Sequence, residues 1–163
     1  MFDVTHLHPM MVHFPIALLF VGFLAELAGL ILKKEFFSRM GLVLLVLGTA
    51  GIAAAYLSGH SAAEGLNEAG PLKMAIENHE DAALLTLWIM VMTLVARLAL
   101  VFFKKYTGMV RWVPLVLFLV GVASLTRTGY YGGELVFKHA AGVQLSIGAF
   151  GADIQGADTE DDD

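Results

Sequence analysis

The stretch HLHPMMVHFPIALLF puts His6, His8 and His13 within eight residues, just before the chain turns continuously apolar. Three more histidines, His60, His79 and His139, stand near the ends of other apolar runs. Neutral imidazole is the commonest nitrogen ligand for metals, and helical bundles hold metals and flat cofactors between side chains of facing helices. Imidazoles gathered at the edges of apolar segments therefore point to ligation, of a haem iron or of a bare zinc or copper ion. Cysteine is absent, which removes disulfides, thiolate metal sites, iron–sulfur ligation and covalent c-type haem attachment from the chemistry of this chain.

Helices in a membrane must position these residues. Of the 163 residues, 58% are hydrophobic and 15% charged, a membrane-protein balance. Four apolar runs, roughly 13–32, 40–58, 82–103 and 112–128, predict four spans. A crossing takes about 20 helical residues, so the last run must continue toward Gly132. The first run lacks a basic leader and is followed by Lys33 and Lys34 in place of a small-residue cleavage site, so it is expected to remain as a helix. The expected fold is all-α, an integral membrane four-helix bundle over residues 1–150, followed by an acidic disordered tail at 151–163.

Lys33, Lys34 and Arg39 lie between the first two spans, and Lys104, Lys105 and Arg111 between the last two. The positive-inside bias predicts that both links are cytoplasmic and both termini extracytoplasmic, in a multi-pass protein of a bacterial inner membrane. The two halves share a span, basic turn, span plan, and no solenoid-type repeat is evident.

That orientation places all six histidines on the outer side. Counted as helix, the distances from Lys33 to His13, Arg39 to His60, Lys104 to His79 and Arg111 to His139 are about 30 to 42 Å, so each span delivers a histidine to the outer end. His13 and His79, on the diagonal spans one and three, are the expected axial ligands of a haem b. His60 and His139 form a second pair or bond the propionates. Arg127 is a further propionate partner, and Phe14 and Tyr130 wall the ring. The small residues of GTAGIAAAY and GYYGG leave room for a flat ring, or simply for close helix packing. His6 and His8 read as polar residues at headgroup level. IENHEDAAL sets Glu80 and Asp81 beside His79, which keeps a zinc or copper site open, although Ala83 four residues on rules out an HExxH motif.

Two charges interrupt the spans. Glu26 lies seven residues from Lys33 and Arg97 seven from Lys104, so both sit about 10 Å inside the basic anchors. A charge in a membrane helix is costly unless it faces the bundle and finds a partner, so Glu26 and Arg97 are expected to pair. The pair serves as a clamp between spans one and three, or as part of a proton route or quinone headgroup site. The alternative is that Arg97 snorkels to the surface. Tyr106 and Trp112 are expected as interface anchors.

LHPMMVHFPIALLF at the start and GGELVFKHAAGV near the end resemble a widespread bacterial family of small predicted membrane proteins, domain of unknown function 2231. The resemblance runs from Leu7 to about Val143 and carries His8, Pro9, His13, Phe14 and Pro15, then His79, then Gly132, Gly133, Leu135, Val136, His139, Gly142 and Val143. Phe137 stands for the usual tyrosine. Members occur fused to or near Rieske-type or cytochrome modules, so the resemblance implies a redox role and favours b-type haem over a bare ion.

The expected function is thus membrane electron transfer as a b-type cytochrome, between the quinone pool and an outer-side redox partner. An extracytoplasmic zinc- or copper-binding protein is the alternative, and a pH-tuned structural subunit a third class. No nucleophile–base pairing, phosphate loop or nucleotide fingerprint is present, so a transfer subunit is favoured over a stand-alone enzyme. The few basic residues on the outer side argue against nucleic acid.

Overall fold

The computed structural model describes residues 4–63 and 70–139, except for the side chains of 4–7, 9, 10 and 62. The acidic tail, the His6 and Met10 side chains, and Gly142 and Val143 lie outside the described residues. Four helices make up the fold: α1 (Val4–Ile31), α2 (Glu35–Ala63), α3 (Pro71–Phe102) and α4 (Trp112–His139), with a 3-10 turn at Gly108–Arg111. Four spans are long and apolar enough to cross a membrane: Met11–Ile31, Glu35–Ser61, Pro71–Phe102 and Gly108–His139, the last taking in the 3-10 turn with α4.

The helices outrun their apolar runs. Gly70, at φ 63°, and Pro71 open α3 well before the apolar run at 82, because proline is preset for a first helical turn and the polar LKMAIENHED continues it. α4 passes through TRTGYYGG to His139, and its threonine hydroxyls bond backward along the same helix. Thr126 donates to the Val122 carbonyl at 3.0 Å and Thr128 to that of Ser124 at 3.1 Å.

α1 packs on α2 and α3 on α4, while α2–α3 and α1–α4 contacts close the ring. α1 and α3 therefore face each other across a diagonal. The centre is filled by Leu19, Leu45, Ile52, Met90, Phe118, Val122 and Leu125. Large apolar side chains such as Leu24, Leu47, Trp88, Met92 and Leu119 point outward, as lipid contact requires of a bundle whose backbone is satisfied internally.

The two hairpins close by different means. Between α1 and α2 the residues are small. A Cβ on Gly29 would lie 2.7 Å from the Ser38 backbone nitrogen, and one on Gly41 would lie 2.9 Å from that of Glu26. Between α3 and α4, Thr86 Oγ1 meets Ser124 Oγ at 2.7 Å and Thr128 Oγ1 at 2.9 Å, hydroxyl pairs that bind helices where no water competes.

The correspondence between the hairpins goes beyond a shared topology. Along α1, His8, Pro15, Leu19, Gly22 and Glu26 turn inward; along α3, at one constant offset in the numbering, so do His79, Thr86, Met90, Thr93 and Arg97. Gly41, Leu45, Gly48, Ile52, Ala55 and Gly59 of α2 match Pro114, Phe118, Gly121, Leu125, Thr128 and Gly132 of α4, again at a constant offset. The chain leaves α1 and α3 alike. Leu32 N–H donates to the Ala28 carbonyl and Phe103 N–H to the Ala99 carbonyl, followed by Lys33 at φ 53° and Lys104 at φ 55°. The two hairpins thus repeat one pattern of inward positions and one kind of helix exit.

Gly29→Ala should destabilise the detergent-solubilised protein by about 1–3 kcal/mol, because the added methyl meets backbone that cannot move aside. Gly129→Ala, which meets nothing within 4 Å, should be neutral or stabilising. Thermal unfolding followed by circular dichroism checks both.

Candidate functional site

The inward stripes of α1 and α3 carry polar groups at both ends. His8 precedes Glu26 on α1 by the same interval that separates His79 from Arg97 on α3. That interval is about five helical turns, so each histidine shares a face with the charge about 27 Å away.

At the histidine end, the rings of His8 and His79 lie 6.4 Å apart, centre to centre, with planes at 81°. Both tautomers are set by neighbours. His79 Nδ1 donates to the Thr128 backbone carbonyl at 3.2 Å. Ser58 Oγ spends its proton on the Ala55 carbonyl at 2.9 Å, so at 3.1 Å it must accept from His8 Nδ1. In the neutral rings Nε2 then carries the lone pair of each. Ala55 and Thr128 are equivalent positions of the two hairpins. So are Gly59 and Gly132, which make room for the rings: a Cβ on them would lie 2.8 Å from His8 Cε1 and 3.1 Å from His79 Cε1. Gly132, in the GYYGG stretch expected to admit a flat cofactor, thus makes room for an imidazole itself, as does Gly59, which lies beyond GTAGIAAAY. Burial pushes the His8 imidazole below its ordinary value of 6.5, against the opposing pull of the Ala55 carbonyl.

The other expected site residues fall elsewhere. His13 is exposed, because the helix has rotated by roughly 140° between His8 and His13. His8, and not His13, is the ring opposite His79. Equal depth is the signal that would have found it: His8 stands as far along the chain from Lys33 as His79 does from Lys104. His60 is also exposed, with Nδ1 3.3 Å from Glu80 Oε1. His139 ends α4, half-buried. Phe14 and Tyr130, expected to wall a ring, are each 67% exposed, since they stand beside the inward Pro15 and Thr128 but on the outer side of their helices. Arg127 is exposed and donates to Tyr131 at 3.3 Å. Among the described residues, no three His, Cys, Asp or Glu side chains form a group able to hold a metal ion.

At the basic end, Arg97 Nε lies 3.4 Å from Glu26 Oε1, with both side chains at or below 5% exposure. Arg97 does not snorkel. Ser38 of α2 joins the pair, donating to both Glu26 oxygens and accepting from Arg97 Nη2 at 2.8 Å. Tyr106, expected as a surface anchor, turns inward instead. Its ring covers the Arg97 guanidinium at 3.1 Å and its hydroxyl donates to Glu26. Burial, then the bond to Glu26, raises its phenol above the usual range. Trp112 stays partly exposed at the start of α4.

The fold and the two polar ends define a four-span membrane protein with paired inward residues on its diagonal helices. The profile of a family described as Predicted membrane protein (DUF2231) matches residues 5–145, and the chain belongs to that family. No curated protein and no solved structure matches it.

Glu26→Gln leaves a buried guanidinium without its counter-charge and should lower stability in detergent by on the order of 3–5 kcal/mol. The double variant Glu26→Gln with Arg97→Gln should recover part of the loss, and a thermal double-mutant cycle reads the coupling. His8 favours the neutral ring in the folded state, so the unfolded chain binds more protons below pH 6.5. Stability should therefore fall as pH drops through and below 6.5, and His8→Gln should flatten that fall in an acid-titration series.

Proposed function

We propose that this protein is a membrane electron-transfer subunit of the b-type cytochrome kind, in which His8 and His79 would hold the iron of one haem. The observation that carries the reading is the pair itself: two buried-side imidazoles from diagonal helices, 6.4 Å apart, each with Nδ1 tied to a partner and Nε2 left as the donor atom. His8 and His79 would hold the iron, one from each of the two diagonal helices. A hydrogen bond from the second ring nitrogen is the usual support of a ligating histidine.

The donor set favours haem over a bare ion, because a porphyrin supplies four ligands and needs only two from the protein, whereas tetrahedral zinc needs more protein donors. When bound, haem supplies one-electron chemistry at the membrane edge. The chain's own residues orient the two imidazoles through Ser58 and Thr128 and clear space for them at Gly59 and Gly132. The Lys33/Arg39 and Lys104/Arg111 turns support the cytoplasmic placement of the basic end in a bacterial inner membrane, with both termini and the histidine pair outside. A quinone and an outer-side Rieske-type or cytochrome partner are the matching redox partners.

The test is an absorbance spectrum of detergent-purified protein made with haem available, before and after dithionite. A reduced b-type band lost in His8→Ala and in His79→Ala, and kept in His13→Ala, is expected. A colourless but folded protein overturns the reading, and elemental analysis for zinc and copper then decides the alternative.

A further inference from the structure

The basic end holds a second feature, independent of the haem reading. A cleft of about 550 Å³ opens between the two interhelical turns, lined by Lys33, Arg39, Arg97, Lys104 and Arg111 with Tyr106 among them. Glu35 is the one carboxylate in the lining, and Arg39 engages it at 2.7 Å. With Glu26 paired to Arg97 behind the lining, five cations stand against two carboxylates, a positive site on a chain whose formal net charge is -5.

Two of the cations are underused. Arg97 is 4% exposed and keeps Nη1 and Nε without a hydrogen-bond partner, although Glu26 and Ser38 are beside it; Arg111 Nε is likewise buried and unpartnered. Buried charged donors ordinarily find acceptors, and guanidinium groups find their strongest ones in carboxylate and phosphate oxygens. The two turn lysines, at equivalent positions of the two hairpins, bracket the cleft with the same left-handed backbone.

We infer that this cleft binds a phosphate group, that of an anionic phospholipid headgroup. The lipid source follows from position. The cleft lies at the ends of the spans, and its wall includes the apolar Leu42 and Val101, the latter 45% exposed, along which an acyl chain can lie. Basic pockets between spans on the positively charged side suit anionic headgroups for the same electrostatic reason that orients the protein. The phosphate would offer acceptors on the side of Arg97 Nη1 and Arg111 Nε and offset the charge of Lys33, Lys104 and Arg111, which have no carboxylate in the lining beside them.

The experiment is a thermal unfolding series on delipidated protein in a neutral detergent, with added phosphatidylglycerol, phosphatidylcholine or inorganic phosphate at matched concentrations. A saturable rise in Tm with phosphatidylglycerol alone is expected. It should be largely lost in the double variant Lys33→Gln with Lys104→Gln and in Arg111→Gln, at unchanged helical content, and kept in Lys138→Gln at the opposite end of α4. A matching rise with inorganic phosphate, lost in the same variants, upholds the phosphate site and reassigns it to a soluble ligand. Equal shifts with the two lipids, or a full phosphatidylglycerol shift in both cleft variants, overturns the inference.

Discussion

The contact on which the bundle's register depends is the ion pair between Glu26 and Arg97. Neither charge has an acceptable partner in hydrocarbon, so α1 and α3 must meet at one depth. Ser38 of α2 and Tyr106 of the second turn close over the pair, and Gly29 and Gly41 allow α2 the near approach that this closure needs. With the pair in place, the equal spacing on each helix brings His8 and His79 to one level at the other end. A sliding of α1 against α3 would separate both pairs at once.

The duplicated hairpin explains why the two ends differ in chemistry. Each half contributes one member to each pair, at equivalent positions in the two hairpins. Two neutral imidazoles tolerate this equivalence, and it gives them the same kind of support, a carbonyl at Ala55 or Thr128 and a glycine at Gly59 or Gly132. Two identical charges at the other pair of positions would repel in a medium that screens little. There the halves diverge to a carboxylate and a guanidinium. They also diverge in how each hairpin closes, by glycine contact in the first and by hydroxyl pairs among Thr86, Ser124 and Thr128 in the second.

The basic turns serve two ends with one set of residues. Lys33 and Lys104 follow the last turns of their helices and line a cleft that also includes Arg97. The charge that packs the bundle thus lies buried behind the Tyr106 ring, in the wall of the same cleft.

By itself the sequence determined the class: apolar runs of membrane length demand helices, basic turns divide them into hairpins, and two buried charges at matching depth are bound to find each other. Those features depend on local composition and on counting along a helix. Which histidines meet was decided only by the tertiary structure, because depth does not specify direction around a helix axis. His13 and His8 are both near the same end of the bundle, yet rotation along α1 sends one to the surface and the other to the diagonal. Tyr106 lies in a link with no helical period to read, so its turn inward onto Arg97 became visible only once four helices had closed around a charge that needed covering.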